Sequence, residues 1–106
     1  MLNHVVLIGR IHTMPQESKD ENGARKYSFQ LEVERPFKES DGTFKNDYFI
    51  ITPWRGVADQ MKDLCMENEI IGVKGRLCSY QRRIEEQMIP CFEVIAENIT
   101  FLSTRK

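Results

Sequence analysis

Hydrophobic and polar positions alternate along most of this chain, in short runs broken by turn residues. From Lys26 to Glu34, Tyr27, Phe29, Leu31 and Val33 alternate with Ser28, Gln30, Glu32 and Glu34. Period-two alternation of this kind predicts a strand with one face in a core and the other in water. The run from Asp47 to Trp54 repeats it, with Tyr48, Ile50, Thr52 and Trp54 on one face and Phe49 and Ile51 on the other. A longer strand is predicted from Glu69 to Arg83. Ile71, Val73, Gly75 and Leu77 share one side of it, and Lys74, Arg76, Cys78, Tyr80 and Arg82 the other. The first run, His4 to Ile11, is apolar on both sides, which suits a strand buried on both faces or paired with another subunit. Pro90 to Leu102 is the last predicted strand.

The period changes once. Between Arg55 and Glu67, Val57, Met61, Leu64 and Cys65 recur at helical spacing, so one short amphipathic helix is expected there. Pro15 to Arg25 is polar and holds an Asn22-Gly23 turn signal. Pro36 should break the second strand, with Ser40-Asp41-Gly42-Thr43 as the tip of a hairpin between Phe37-Lys38 and Phe44-Lys45. Ile84 to Met88 reads as a loop. The order is strand, strand, strand, helix, strand, strand. This predicts an all-β chain: a five-stranded OB-fold barrel with one short helix between strands three and four.

With 106 residues, the chain has room for a single domain. Its apolar runs fall well short of the roughly 20 residues of a membrane span. The N-terminus has neither a basic leader nor a small-residue cleavage site, so the expected compartment is the cytoplasm. Cys65, Cys78 and Cys91 form no Cys-x-x-Cys pair, and His4 and His12 lie far from them in sequence. They read as buried thiols rather than zinc ligands, and no metal or cofactor is expected. The formal net charge is −1. That value does not decide for or against a polyanionic ligand, because a local basic surface acts at zero net charge.

Catalysis has little to build on. The acid pairs Glu32/Glu34 and Glu85/Glu86 read as a solvated strand face and a loop. No Ser-His-Asp order or glycine-rich phosphate loop appears, so no enzyme is expected. Binding has more. Lys74, Arg76, Tyr80 and Arg82 share one strand face. Tyr48 and Trp54 share another, and Arg35, Phe37 and Lys38 cluster at a hairpin. Rings give unpaired bases flat partners, and cations beside them follow phosphates. Pattern alone leaves a second fate open for each. Tyr48 and Trp54 share a face with Ile50 and could be core, Phe37 could pack under the hairpin, and the cations could be a plain solvated face.

Four segments in order resemble the bacterial single-stranded DNA-binding protein family. They are Met1 to Arg10, Asp47-Tyr48-Phe49 through Trp54-Arg55, Gly72 to Leu77, and Phe92 to Leu102. The resemblance implies an OB-fold that binds single-stranded DNA with little sequence preference, in replication, recombination and repair. It implies a cytoplasmic, nucleoid-associated homo-oligomer, commonly a tetramer with a dimer as the alternative, and Val5, Val6, Leu7 and Ile8 are the expected interface strand. Of four stacking positions in the family, Phe37, Tyr48 and Trp54 match as aromatics. The fourth falls at about Arg82, with Tyr80 two residues earlier on the same face. The expected binding set is therefore Arg35, Phe37, Lys38, Tyr48, Trp54, Arg55, Lys74, Arg76, Tyr80 and Arg82. The chain ends at Ser103-Thr104-Arg105-Lys106 without the acidic tail of replicative members, so tail-mediated protein partners are not expected of a complete chain of this form. The alternatives are a primosomal replication-restart protein, or an OB-fold interaction protein that has lost most DNA binding.

Overall fold

A computed structural model of the chain describes residues 1–19 and 25–102, apart from the side chains of Ser18, Arg25 and Leu64. The Asn22-Gly23 turn and the end from Ser103 to Lys106 lie outside the described residues. The elements are β1 (Val5–Ile11), β2 (Gln16–Lys19), β3 (Arg25–Lys38), β4 (Phe44–Pro53), α1 (Arg55–Leu64), β5 (Ile70–Ile84) and β6 (Gln87–Phe101). Their order across the sheet is β1-β5-β6-β4-β3-β2, and β1 also pairs with β3. That extra pairing, Arg10 with Glu32 and Ile11 with Leu31, closes β1, β3, β4, β6 and β5 into the expected five-stranded barrel. β2 lies outside the ring as a hairpin partner of Arg25–Ser28. It is polar and carries no alternation that sequence could reveal, and it makes α1 follow the fourth strand as counted here.

Side chains of one parity fill the ring. Ile11, Leu31, Ile51, Ile71 and Val73 are completely buried, joined by Phe29, Val94, Ala96 and Ile99 from the strands and Met61 from α1. The closed sheet brings backbones very near one another. A Cβ on Gly9 would strike the Glu32 carbonyl oxygen, and one on Gly75 the Ile95 carbonyl oxygen. Gly75 sits where the β5–β6 register slips by one residue. Beyond Val94, β6 pairs with β5 alone. The two strands run on as a ribbon whose residues 81–90 are all exposed.

Two details differ from the sequence expectation. Pro36 does not end β3, which continues to Lys38. The register shift between Glu34 and Lys38 gives the proline a place where no ladder N–H is needed. Ile84 to Met88 is not a loop: β5 and β6 turn directly through Glu85-Glu86, with Glu85 at φ 57°, so hydrogen bonding overrides the polar composition. Val5 and Leu7 pack against the core, whereas Val6 and Ile8 point outward and are 57% and 60% exposed, as the pleat requires.

Gly75→Ala should cost about 1–3 kcal/mol of stability by overpacking. Gly72→Ala, whose methyl would meet Leu102 Cδ1 at an ordinary 3.7 Å, should change little. Urea midpoints at constant slope measure both, and equal midpoints for the two variants would contradict the close approach.

Candidate nucleic-acid interface

Residues paired across a sheet share a side, so the register maps the outer surface. Glu32 lies opposite Tyr48 and Gln30 opposite Ile50. Thr52 lies beside Ile95, and Ile95 opposite Arg76. Glu93 faces Cys78 and Cys91 faces Tyr80. The polar parity of β3, the ring-bearing parity of β4 and the cationic parity of β5 therefore form one continuous outer surface over four adjacent strands.

Trp54 stands at one end of it, as the N-cap residue of α1. Its N–H donates to the Ala96 carbonyl and its own carbonyl accepts from Ala58 N–H, both at 2.8 Å. The backbone is thus pinned while the indole is 61% exposed. Two residues earlier, Thr52 shares a row with Arg76 at two strand spacings, about 10 Å. Arg55 opens the helix and is exposed. Tyr48 is 52% exposed and leans on the His12 ring, with centroids 4.9 Å apart at 59°. Behind them, Glu32 accepts from Asn46 Nδ2 at 3.0 Å and lies 3.4 Å from His12 Nδ1. The acid opposite Tyr48 is thereby engaged on both oxygens.

Phe37, 58% exposed, stands on the β3–β4 hairpin beside Lys38, whose ammonium is 5.7 Å from the Phe44 ring centroid. The tip is held by Asp41, which accepts from Thr43 N–H at 3.0 Å and Thr43 Oγ1 at 2.6 Å. Those bonds keep the Asp41 carboxyl below the usual carboxylate range. The base is held by Arg35. Its Nη2 donates to Asp47 Oδ1 at 2.9 Å and its Nε at 3.1 Å, and Nη1 lies 3.5 Å from Glu39 Oε1. Arg35, expected beside the rings as a cation, is tied to two carboxylates and braces the stem under Phe37. The hydrogen bonds raise its guanidinium further and hold the Asp47 carboxyl low.

Lys74, Arg76 and Arg82 are exposed on the outer side of β5. They are spread along it: Lys74 lies opposite Val6 of β1, and Arg82 lies out on the ribbon opposite Ile89. Tyr80 is half-buried, with the Lys26 ammonium 4.4 Å from its ring centroid. Sequence reasoning passed over His12, Lys26, Phe44 and Glu93 as members of this surface. Only Phe44, at the stem of a hairpin already recognised, carried a local signal. Among the described residues no group of three or more His, Cys, Asp or Glu side chains could hold a metal, and no helix is long and apolar enough to cross a membrane.

Residues 2–102 match the sequence profile of the "Single-strand binding protein family". This chain belongs to that family. It is 32% identical to the single-stranded DNA-binding protein of Oceanobacillus iheyensis, over 99% of this chain and 66% of that protein. It is 30% identical to single-stranded DNA-binding protein B of Bacillus subtilis, over 99% of this chain and 94% of that one. The chain thus spans just under two thirds of the length of the Oceanobacillus relative. Its fold is that of a Plasmodium falciparum SSB solved in complex with ssDNA, with a TM-score of 0.79 at 20% identity, covering 97% of this chain and 96% of the other. In this member of the single-strand binding family, Phe37, Tyr48 and Trp54 do not take the core fate that sequence had left open for them. All three rings lie outside the core.

The Arg35–Asp47 tie should show in pH dependence. A carboxyl whose folded-state value is depressed contributes stability above its unfolded value and loses it as pH falls through the folded one. Asp47→Asn should therefore melt below the parent at about pH 7, and the gap should narrow as pH falls through and below the ordinary carboxylate range. A constant offset across that range would contradict this assignment.

Proposed function

We propose that the chain, as a single domain, binds single-stranded DNA with little sequence preference and shields it during replication, recombination and repair, without acting on it chemically. The observation that carries this reading is the exposure of Phe37, Tyr48 and Trp54 on the outer side of a closed barrel. Large rings stranded in water on a rigid sheet are costly to the free protein and offer ready stacking partners to bases. Lys38, Arg55, Lys74, Arg76 and Arg82 lie along the same surface and would track the backbone, while Tyr80 supplies the fourth ring. The names of the relatives and the ssDNA bound in the Plasmodium structure support the same ligand. The exposed rings weigh against a barrel that has lost DNA binding.

Titrating the chain with oligo-dT and following Trp54 fluorescence tests this. Tyr48→Ala and Trp54→Ala (the latter followed by anisotropy of labelled oligo) should each weaken binding by about 1–3 kcal/mol, a range established on OB-fold proteins of this kind. The loss should be similar for every base composition. Affinity should also fall steeply with salt. An absence of binding at low salt would remove the reading.

The chain also acts as a homo-oligomer, a tetramer or a dimer, through β1. Val6 and Ile8 present an apolar outer face. β1 pairs with β5 along one edge but meets β3 only at Arg10 and Ile11, so its other edge from Val5 to Ile8 has no strand partner among the described residues. Unpaired edges invite pairing with a second copy, and a two-fold arrangement would satisfy both. Several barrels in one assembly would let a strand wrap and gain avidity. Ile8→Glu should lower the mass measured by light scattering at micromolar concentration. A wild-type monomer there would contradict the assembly.

A further inference from the structure

We propose that Lys26 and Glu93 are positioning residues for Tyr80, clamping the phenol from one side so that it offers a single ring face to a single base; this rests on the strand-binding reading above. The observation is a network with one side chain from each of four adjacent strands. Lys26 of β3 lies 2.6 Å from Glu93 Oε2 of β6. Thr52 of β4 donates its hydroxyl to the same oxygen at 2.8 Å. The Lys26 ammonium stands 4.4 Å from the Tyr80 centroid on β5.

Glu93 is only 8% exposed, although its position belongs to the outer parity. Taking a carboxylate out of water is costly, and a buried ion pair usually stabilises no better than apolar side chains of the same volume. As a device for stability the pair is poor. As a device for direction it is good. The carboxylate fixes where the ammonium sits, and the ammonium, attracted to the ring quadrupole, fixes the plane of the phenol. Tyr48 and Trp54 have no such cation over a ring among the described cation–ring contacts, and their rings are more open than that of Tyr80. Because Glu93 balances its charge, Lys26 acts through Tyr80 and not on a phosphate.

The test uses the full chain and oligo-dT, with Trp54 fluorescence as the signal. Removing Lys26 alone would strand a buried carboxylate, so both charges are changed together, as Lys26→Met with Glu93→Gln. Five forms are compared: wild type, this pair, Tyr80→Ala, the pair combined with Tyr80→Ala, and Lys26→Arg. Each is titrated at several salt concentrations and melted separately. The pair should weaken binding about fivefold, the low end of what one stacked base contributes, with an unchanged slope of log affinity against log salt. It should add nothing once Tyr80 is alanine, and Lys26→Arg should retain most of the wild-type affinity. A loss that persists without Tyr80, with the salt slope shallower by about 0.7, would make Lys26 a phosphate contact and overturn the proposal. So would a pair variant that melts lower but binds like wild type, since the network would then be structural only. Wild-type protein that leaves oligo-dT unbound would sink the strand-binding reading itself, whereas the other two results sink this inference alone.

Discussion

Closure of the sheet between β1 and β3 is the constraint on which the rest of the molecule depends. An open five-stranded sheet could bury either face against a second layer. Once Ile11 pairs with Leu31, the sheet has an inside that one set of side chains must fill and an outside to which the other set is turned. Alternation then leaves no freedom. Because Ile51 points in, Tyr48, Ile50 and Thr52 must point out; because Val73 points in, Lys74 and Arg76 must point out. Gly9 and Gly75 lie at the closest backbone approaches of this ring, where any larger side chain would force strands apart. Two residues without side chains thus help decide where the aromatic ones end up.

What could be read from sequence follows from the range of the interactions involved. The alternation in β3 and β4 is local, so their two faces were legible, and so were the helical spacing of Val57 and Met61 and the Asp41-Gly42 hairpin tip. Parity alone could not say which face of β4 was core, since Tyr48, Ile50 and Trp54 are as apolar as Phe49 and Ile51. That answer came from closure, a contact between residues 20 apart. Composition misled at Glu85-Glu86, where two acids in a polar stretch turned out to be a tight turn in a long ribbon. It was silent at Gln16–Lys19, whose strand exists only because β3 offers it an edge.

Charges were the least legible part of the candidate site, and for a related reason. Arg35, twelve residues from Asp47, looks in sequence like any other cation near an aromatic residue. The β3–β4 register brings the two together and turns Arg35 into a brace for the hairpin that carries Phe37. Glu93 lies 67 residues from Lys26, beyond any sequence pattern. Such pairings also explain how a chain of net charge −1 can present a surface suited to a polyanion. Asp47 and Glu39 are turned toward Arg35, Glu32 toward Asn46 and His12, and Glu93 sideways along the outer surface to Lys26, while Arg55, Lys74, Arg76 and Arg82 stand exposed. Internal pairing of acids, rather than an excess of bases, sets the local sign of the field.

The same logic separates the four rings by mechanism. Phe37 and Trp54 gain their rigidity from the backbone, one from a braced hairpin stem and the other from a helix start hydrogen-bonded on both sides. Their ring faces are therefore left free. Tyr48 leans on His12 and keeps half its surface in water. Tyr80 stands on a ribbon that has left the barrel and has no core beneath it. The ring, half-buried, is met by a group reaching across from the body of the sheet, the Lys26 ammonium. An ammonium can hold it because it attracts a ring face at a distance and needs no close-packed layer, and an ammonium so placed must in turn be held by a carboxylate. In the stacking role proposed for Tyr80, the Lys26–Glu93 pair, half-buried at Lys26 and buried at Glu93, would supply the support that the ribbon itself does not.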